Sequence, residues 1–235
     1  MTEAMKPGRR TRPPTIDQGD PALREAEVAL REAAAGWSQG QAERNAARAA
    51  ERFTAVGWSS GLADVAYGWA DSPFGSLLVA VTRRGLVRLS YPGPGPDRRL
   101  DELSQAVSLR VIEFAPATDD VRRELDEYFE GRRRRFDVPV DLSSVQGFRG
   151  RVLRATAGIP FGSIRTYRDV AARAGNPAAT RAAGNALGSN PVPIVVPCHR
   201  VVRTGGGLGG YTGGLDRKRT LLSLEGVLPA QLGDR

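Results

Sequence analysis

The sequence predicts an α/β unit followed by a helical one. Three observations carry that reading. Apolar residues alternate at Val65, Tyr67 and Trp69 and then run continuously from Leu77 to Val81, which is strand patterning. From Gln146 onward the apolar residues recur at helical spacing instead. Two short helical segments then flank Gly175-Asn176, the arrangement of a helix-turn-helix.

Taken in order, residues 1–20 are polar, with Pro7, Pro13, Pro14 and the cluster Arg9, Arg10, Arg12, and read as a disordered tail. Pro21 to about Phe53 is rich in Ala, Glu and Arg; Leu23, Ala26, Leu30 and Ala33 keep helical spacing, and Gly36 and Gly40 break the segment into two helices. No chemistry is legible in residues 1–57, a tail and helical extension. Residues 58–142 form the α/β unit. After the strand of Val65–Trp69, Ser72-Pro-Phe-Gly75 is a turn, Leu77–Val81 a strand, Arg83-Arg-Gly85 a tight turn and Leu86–Tyr91 a strand that Pro92-Gly-Pro-Gly-Pro96 ends. A short strand follows near Val111–Phe114. Thr118 is a candidate N-cap for a helix to about Glu130, with Asp119 and Asp120 at its positive end. Arg132–Arg135 reads as a solvated helix exit. Residues 146–229 form the helical unit. Phe148, Val152, Leu153 and Ala157 share one helix face, Gly158–Gly162 is a turn, and Thr166 caps a helix through Ala174 that Gly175 stops. Asn176 then caps a helix beginning at Pro177 and running to about Leu187.

Composition narrows the class. No stretch approaches the roughly 18 continuous apolar residues of a membrane span. A single cysteine cannot form an internal disulfide, and a free thiol persists best in a reducing compartment. With no charged-then-apolar leader pattern, a cytoplasmic location is expected. The net charge of +8 is unevenly spread: between Phe148 and Arg219 twelve Lys/Arg stand against two acids, Asp169 and Asp216. This concentration points to a polyanion such as nucleic acid, or to a solvated basic surface. One Cys and one His cannot build a metal cluster. Gly205–Gly210 matches a dinucleotide-binding glycine pattern but lacks the βαβ setting, so no cofactor is expected. A monomer suffices.

The only cysteine and the only histidine are adjacent, Cys198 and His199, in Asn190-Pro-Val-Pro-Ile-Val-Val-Pro-Cys-His-Arg-Val-Val202. Thiolate and imidazole are a nucleophile and a base; the alternative is a buried thiol beside an incidental imidazole. A free thiol is only a few per cent ionised at neutral pH, and the flanking Ile194, Val195 and Val196 raise its pKa further. Adjacent side chains point apart, so His199 would take the proton through a water. Glu225 can steady the imidazolium, or be an ordinary helix acid. The segment Ala178–Leu187 is nearly all small side chains around Arg181. That suits a shallow fit to DNA, with Arg181 filling the gap left by an extruded base. It equally suits helix-on-helix packing with Arg181 in a surface ion pair. Tyr167 is a base or phosphate contact, or a core tyrosine. Pro193 and Gly213 are compatible with a roomy site.

These residues resemble the methylated-DNA–protein-cysteine S-methyltransferases, the O6-alkylguanine-DNA alkyltransferases. Pro197-Cys-His-Arg-Val201, Asn190-Pro-Val-Pro193, Gly210-Tyr-Thr-Gly-Gly-Leu215 and the Leu224-Glu-Gly226 ending carry the resemblance in the second unit. Ser72-Pro-Phe-Gly-Ser-Leu77 and Tyr128-Phe-Glu-Gly131 carry it in the first, for a span of about Ala63 to Gly226. The resemblance implies a three-layer, ribonuclease-H-like α/β domain and a C-terminal winged helix-turn-helix domain on the minor groove of double-stranded DNA. It implies that Cys198 accepts the alkyl group of O6-methylguanine once, with O4-methylthymine as a further candidate substrate. His199 deprotonates the thiol through water, Glu225 orients His199, and Asn190 is a hinge between the helix-turn-helix and the acceptor segment. Tyr167, Tyr211, Thr212 and Val201 fall to substrate binding. Arg181, Ala182, Arg149, Arg168, Asn176 and Thr204 fall to DNA contact. Position 212 is Thr where some members have Ser, and the zinc set and second acceptor cysteine of other members are absent. A lesion-binding module without transfer and a Cys–His hydrolase are the competing classes.

Overall fold

The computed structural model describes residues 39–93 and 95–227. The expected tail and the first expected helix lie outside them. The first described helix, α1 (Gln39–Ser59), runs unbroken. Gly40 sits in its opening turn, where its flexibility costs little, and the Ala-rich sequence after it propagates the helix past Phe53; the break expected at Gly36 lies outside the described residues.

Four strands follow: β1 (Val65–Ala70), β2 (Leu77–Thr82), β3 (Gly85–Ser90) and β4 (Val111–Glu113), in the order β3-β2-β1-β4. β1 pairs antiparallel with β2 and parallel with β4, and β2 pairs antiparallel with β3. The β2–β3 turn needs its glycine: Gly85 has φ +128°, and a Cβ there would lie 2.2 Å from the Pro139 carbonyl oxygen. Residues after Pro139 extend the sheet edge, where Leu86 bridges Val140 and exchanges backbone bonds with Pro139 and Asp141.

A helix, α2 (Pro96–Ala106), occupies a segment for which the sequence predicts no element. Its buried stripe is short, with Leu100, Leu103 and Val107 set among charges. Leu103 packs with Val65, Ala80 and Val87 on one sheet face. The opposite face, with Ala66, Val79 and Val81, packs with Val121, Leu125 and Tyr128 of α3 (Asp119–Phe129). Successive strand residues therefore serve two cores. Thr118 does not cap α3 with its side chain. A 3-10 turn, Ala115–Thr118, precedes the helix, and the Thr118 hydroxyl donates to the Ala115 carbonyl at 2.8 Å. The arginine run is not wholly solvated. Arg133 is mostly buried, pairing with Glu127 and Asp137 at 2.8 Å and Glu124 at 3.5 Å.

The second half holds α4 (Gly147–Ala157), α5 (Tyr167–Arg173), α6 (Thr180–Gly188) and α7 (Leu215–Leu224), with a parallel two-residue pair, β5 (Arg165–Thr166) and β6 (Val201–Val202). α4 buries Val152, Leu153 and Thr156, while Ala157 is exposed rather than on the core face. Thr166 caps α5 reciprocally with Asp169, and Gly175 ends it at φ +90°. Asn176 does not start the next helix. Its side chain accepts from Ala178 N–H at 3.1 Å, closing a turn that delays α6 to Thr180. One core joins both halves: Val79 and Tyr128 belong to the same buried cluster as Leu153, Ile194 and Cys198, and Leu89 N–H donates to the Pro191 carbonyl.

Candidate active site around Cys198

Prolines at 191, 193 and 197 deny the segment before Cys198 a regular ladder, so its shape comes from local backbone turns and from side-chain bonds. Buried Asn190 supplies the latter. Its amide donates to the Val196 carbonyl at 2.8 Å and accepts from Val192 N–H at 3.1 Å. The segment bends tightly enough to hold Ile194 at φ +73°, a costly conformation for a β-branched residue. Asn190 Nδ2 also lies 3.2 Å from Cys198 Sγ. The structure therefore places Asn190 between the end of α6 and the sulfur.

Cys198 opens a 3-10 turn, Cys198–Arg200, whose three side chains are all buried. In this turn His199 meets Glu225, which follows α7. His199 Nε2 and Glu225 Oε1 are 2.8 Å apart. Arg200 grips the same carboxylate with two bonds of 2.8 and 2.9 Å, and the Tyr128 hydroxyl donates to it at 2.7 Å. Burial opposes the charge on Glu225, but His199 and Arg200 outweigh it and hold its pKa near about 2. Burial also lowers the pKa of His199, against the pull of Glu225. A neutral imidazole facing an ionised carboxylate must carry its proton on Nε2, since a carboxylate only accepts. Nδ1 then presents a lone pair, and it is buried with no partner among the described residues. Burial raises the Cys198 pKa, while the Asn190 amide and the Lys218 charge work the other way. The resting sulfur is a thiol, and the site holds a free base.

Cys198 lines a cavity of about 290 Å³. Tyr167 and Gly184, Leu187 and Gly188 of α6 form part of its wall; Gly210, Tyr211 and Thr212 complete it. A larger hollow of about 740 Å³ lies among surface charges such as Asp119, Asp120 and Arg122 and has no thiol or imidazole in its lining. The loop over the cavity is tied down at several points. The Tyr167 hydroxyl donates to the Gly210 carbonyl at 3.2 Å, and the Thr212 hydroxyl to that of Gly188 at 2.6 Å. Buried Lys218 donates to the carbonyls of Val201, Leu208 and Gly210, and burial pushes its pKa down to about 8.

The predicted site residues divide by location. Cys198, Tyr167, Tyr211 and Thr212 share the cavity; Asn190, His199 and Glu225 stand behind it. Val201 is buried in β6 and is not among the lining residues, nor are Pro193 and Gly213. Arg181 and Ala182 are exposed on α6, and Arg181 lies one turn before Gly184 on the face that reaches the cavity. Arg168, Asn176, Thr204 and Arg149 are exposed as well, and Arg149 donates to the Ser189 carbonyl at 2.6 Å. Two of the twelve cations counted toward a basic surface, Arg200 and Lys218, are internal. The sequence reading missed both, and missed Tyr128. Lys218 had a usable signal: Leu221 and Leu222, three and four residues on, put it on the buried face of α7.

The 6-O-methylguanine DNA methyltransferase DNA-binding domain matches residues 147–227, and the ribonuclease-like domain of the same family matches residues 65–142. A methylated-DNA–protein-cysteine methyltransferase of Mycolicibacterium paratuberculosis is 40% identical over 161 residues, covering 68% of this chain and 92% of that protein. The inducible enzyme of that name from Bacillus subtilis is 47% identical over 152 residues, covering 63% and 82%. The crystal structure of Mycobacterium tuberculosis OGT in complex with DNA superposes with a TM-score of 0.55 at 38% identity, covering 71% of this chain and 97% of that one. Both domains match, the relatives are covered nearly end to end, and the one cysteine sits before a free base in a small cavity: the chain belongs to the methylated-DNA–protein-cysteine methyltransferase family.

Proposed function

We propose that this chain repairs DNA by direct reversal, moving the methyl group of O6-methylguanine onto Cys198 once per molecule. The observation that carries the reading is the unpartnered Nδ1 of His199, the residue next in sequence to a buried thiol that lines a cavity. Nδ1 takes the thiol proton through a bridging water, and Glu225 and Asn190 hold the imidazole and the sulfur in place. Sγ attacks the methyl carbon; the S–C bond forms as the C–O6 bond breaks, and the electron pair passes to the purine. A proton gained by guanine balances the one lost by the thiol. Hydrogen bonds from Tyr167 and the backbone of Tyr211 and Thr212 offset charge on the leaving base. The product is a thioether with no second cysteine to resolve it, so the protein is consumed.

A base reaches the cavity only if it leaves the duplex. We assign Arg181 and Ala182 of α6 to the gap it leaves, and Arg168, Asn176, Thr204 and Arg149 to the backbone of the minor groove, with Val201 shaping the site from behind. The same reading assigns a ribonuclease-H-like fold to residues 58–142 and a winged helix-turn-helix to 146–229. It takes the protein as a monomer in a reducing cytoplasm, with O4-methylthymine as a second substrate and no cofactor.

Titration with excess duplex carrying O6-methylguanine tests the chemistry. Intact-mass analysis should show one methyl per chain, on the peptide containing Cys198. An unchanged mass, or many methyls removed per chain, overturns the reading. Base extrusion costs a few kcal/mol, so Arg181→Ala should slow transfer from duplex at least about tenfold and change transfer from single-stranded DNA far less. Equal slowing on both substrates would remove Arg181 from that role.

A further inference from the structure

Tyr91 lies in the first half of the chain, one residue past β3, with no sequence feature linking it to the acceptor segment. The structure sets it against Tyr211, a residue of the cavity wall. Its hydroxyl meets that of Tyr211 at 2.6 Å, and the two rings stand edge to face with centroids 6.1 Å apart. Tyr211 lines the Cys198 cavity and sets its ring at right angles to His199, 6.4 Å away. Tyr91 itself is firmly seated. Phe74 packs edge-on at 5.7 Å, and the Arg217 guanidinium lies 4.7 Å over its face. Gly213 is shaped by this pair: a Cβ there would come within 2.7 Å of the Tyr91 ring and 2.8 Å of the Tyr211 ring.

We infer that Tyr91 is a positioning residue that fixes Tyr211 as a wall of the cavity and thereby limits the size of the alkyl group Cys198 accepts. The inference rests on the alkyl-transfer reading above. Tyr211 lies in a run with glycines at 205, 206, 207, 209, 210, 213 and 214, a backbone with little stiffness of its own. Thr212 and Lys218 tie the backbone of this run at Gly188 and at Leu208 and Gly210. The phenol end of Tyr211 has one hydrogen-bond partner among the described residues, and it is Tyr91. Without that bond the ring is free to rotate away from a cavity of about 290 Å³. A methyl group needs no such retreat, whereas a larger substituent does. The first half of the chain would then set substrate range without touching substrate.

Tyr91→Phe removes one oxygen and keeps the ring. Single-turnover rates are measured on duplexes carrying O6-methyl-, O6-ethyl- and O6-benzylguanine. Relative to methyl, transfer of the larger groups should rise about three- to tenfold, the worth of one ordinary hydrogen bond, with duplex affinity unchanged. In a Tyr211→Phe background, Tyr91→Phe should change the size dependence no further. A size dependence identical to that of the native chain, even with a lower melting temperature, overturns the inference, as does an additive effect in the double variant. Failure of the native chain to take up any alkyl group would sink the transfer reading instead.

Discussion

Cys198→Ala should abolish methyl uptake entirely and leave affinity for duplex DNA within about twofold of the native chain, because burial separates the sulfur from the exposed cations we assign to DNA. Cys198 is only 4% exposed and lines the cavity. The groups assigned to DNA (Arg181, Arg168, Asn176, Thr204) are exposed on other elements. Deleting one sulfur from a packed interior costs about 1 kcal/mol or a little more, which does not unfold the protein. Transfer has no substitute, because the chain contains no other thiol. Cys198→Ser should fare no better: a hydroxyl is a far weaker acid, and the burial that already raises the thiol pKa would act against an alkoxide still more. Intact mass reads transfer, and fluorescence anisotropy at two salt concentrations reads binding. Loss of binding in step with loss of transfer would mean that the sulfur organises the DNA surface, contrary to the geometry.

What could be read in advance depended on distance along the chain. β2 and β3 fall within a residue of expectation because a continuous apolar run and a glycine turn are local signals. Cys198 and His199 were legible because each residue type occurs once. Glu225 was legible as a partner for His199, but the rest of the network behind them was not. Tyr128 reaches Glu225 across 97 residues and Tyr91 reaches Tyr211 across 120. No periodicity encodes such meetings. Arg200 was misread for a related reason: in a basic segment a cation looks like surface, and only its position in a buried turn shows that it neutralises Glu225. α2 was missed because three apolar positions among charges and prolines give a weak helical signal, yet Leu103 closes a whole sheet face. Asn176 was read as a helix cap because Asn before Pro fits that role; its side chain closed the turn first.

Glu225→Gln should damage catalysis and stability together, for separable reasons. The amide keeps the shape but loses the charge. His199 is then no longer held as the tautomer with its lone pair on Nδ1, and methyl transfer should fall about a hundredfold or more, the usual worth of a general base. Arg200, which is 6% exposed, is left as a buried cation without its anion, a loss on the order of 3–5 kcal/mol. The pH dependence gives a second estimate. The folded pKa of Glu225 is about 2, against 4.5 for a free glutamate side chain. A depressed carboxylate pKa stabilises the fold above the unfolded value, and that contribution fades as pH falls toward the folded one. The shift corresponds to about 3 kcal/mol, in line with the cost of orphaning Arg200. Denaturant unfolding across pH should therefore show the native chain far more stable than Glu225→Gln at neutral pH, with the gap closing between pH 4.5 and about 2. A gap of equal size at both ends would show that the carboxylate charge is not what the pair contributes. Arg200→Met added to Glu225→Gln removes the orphaned cation and should recover most of the stability, because two matched apolar or neutral groups cost less than one unpaired charge. It should recover none of the transfer, because His199 still lacks its carboxylate.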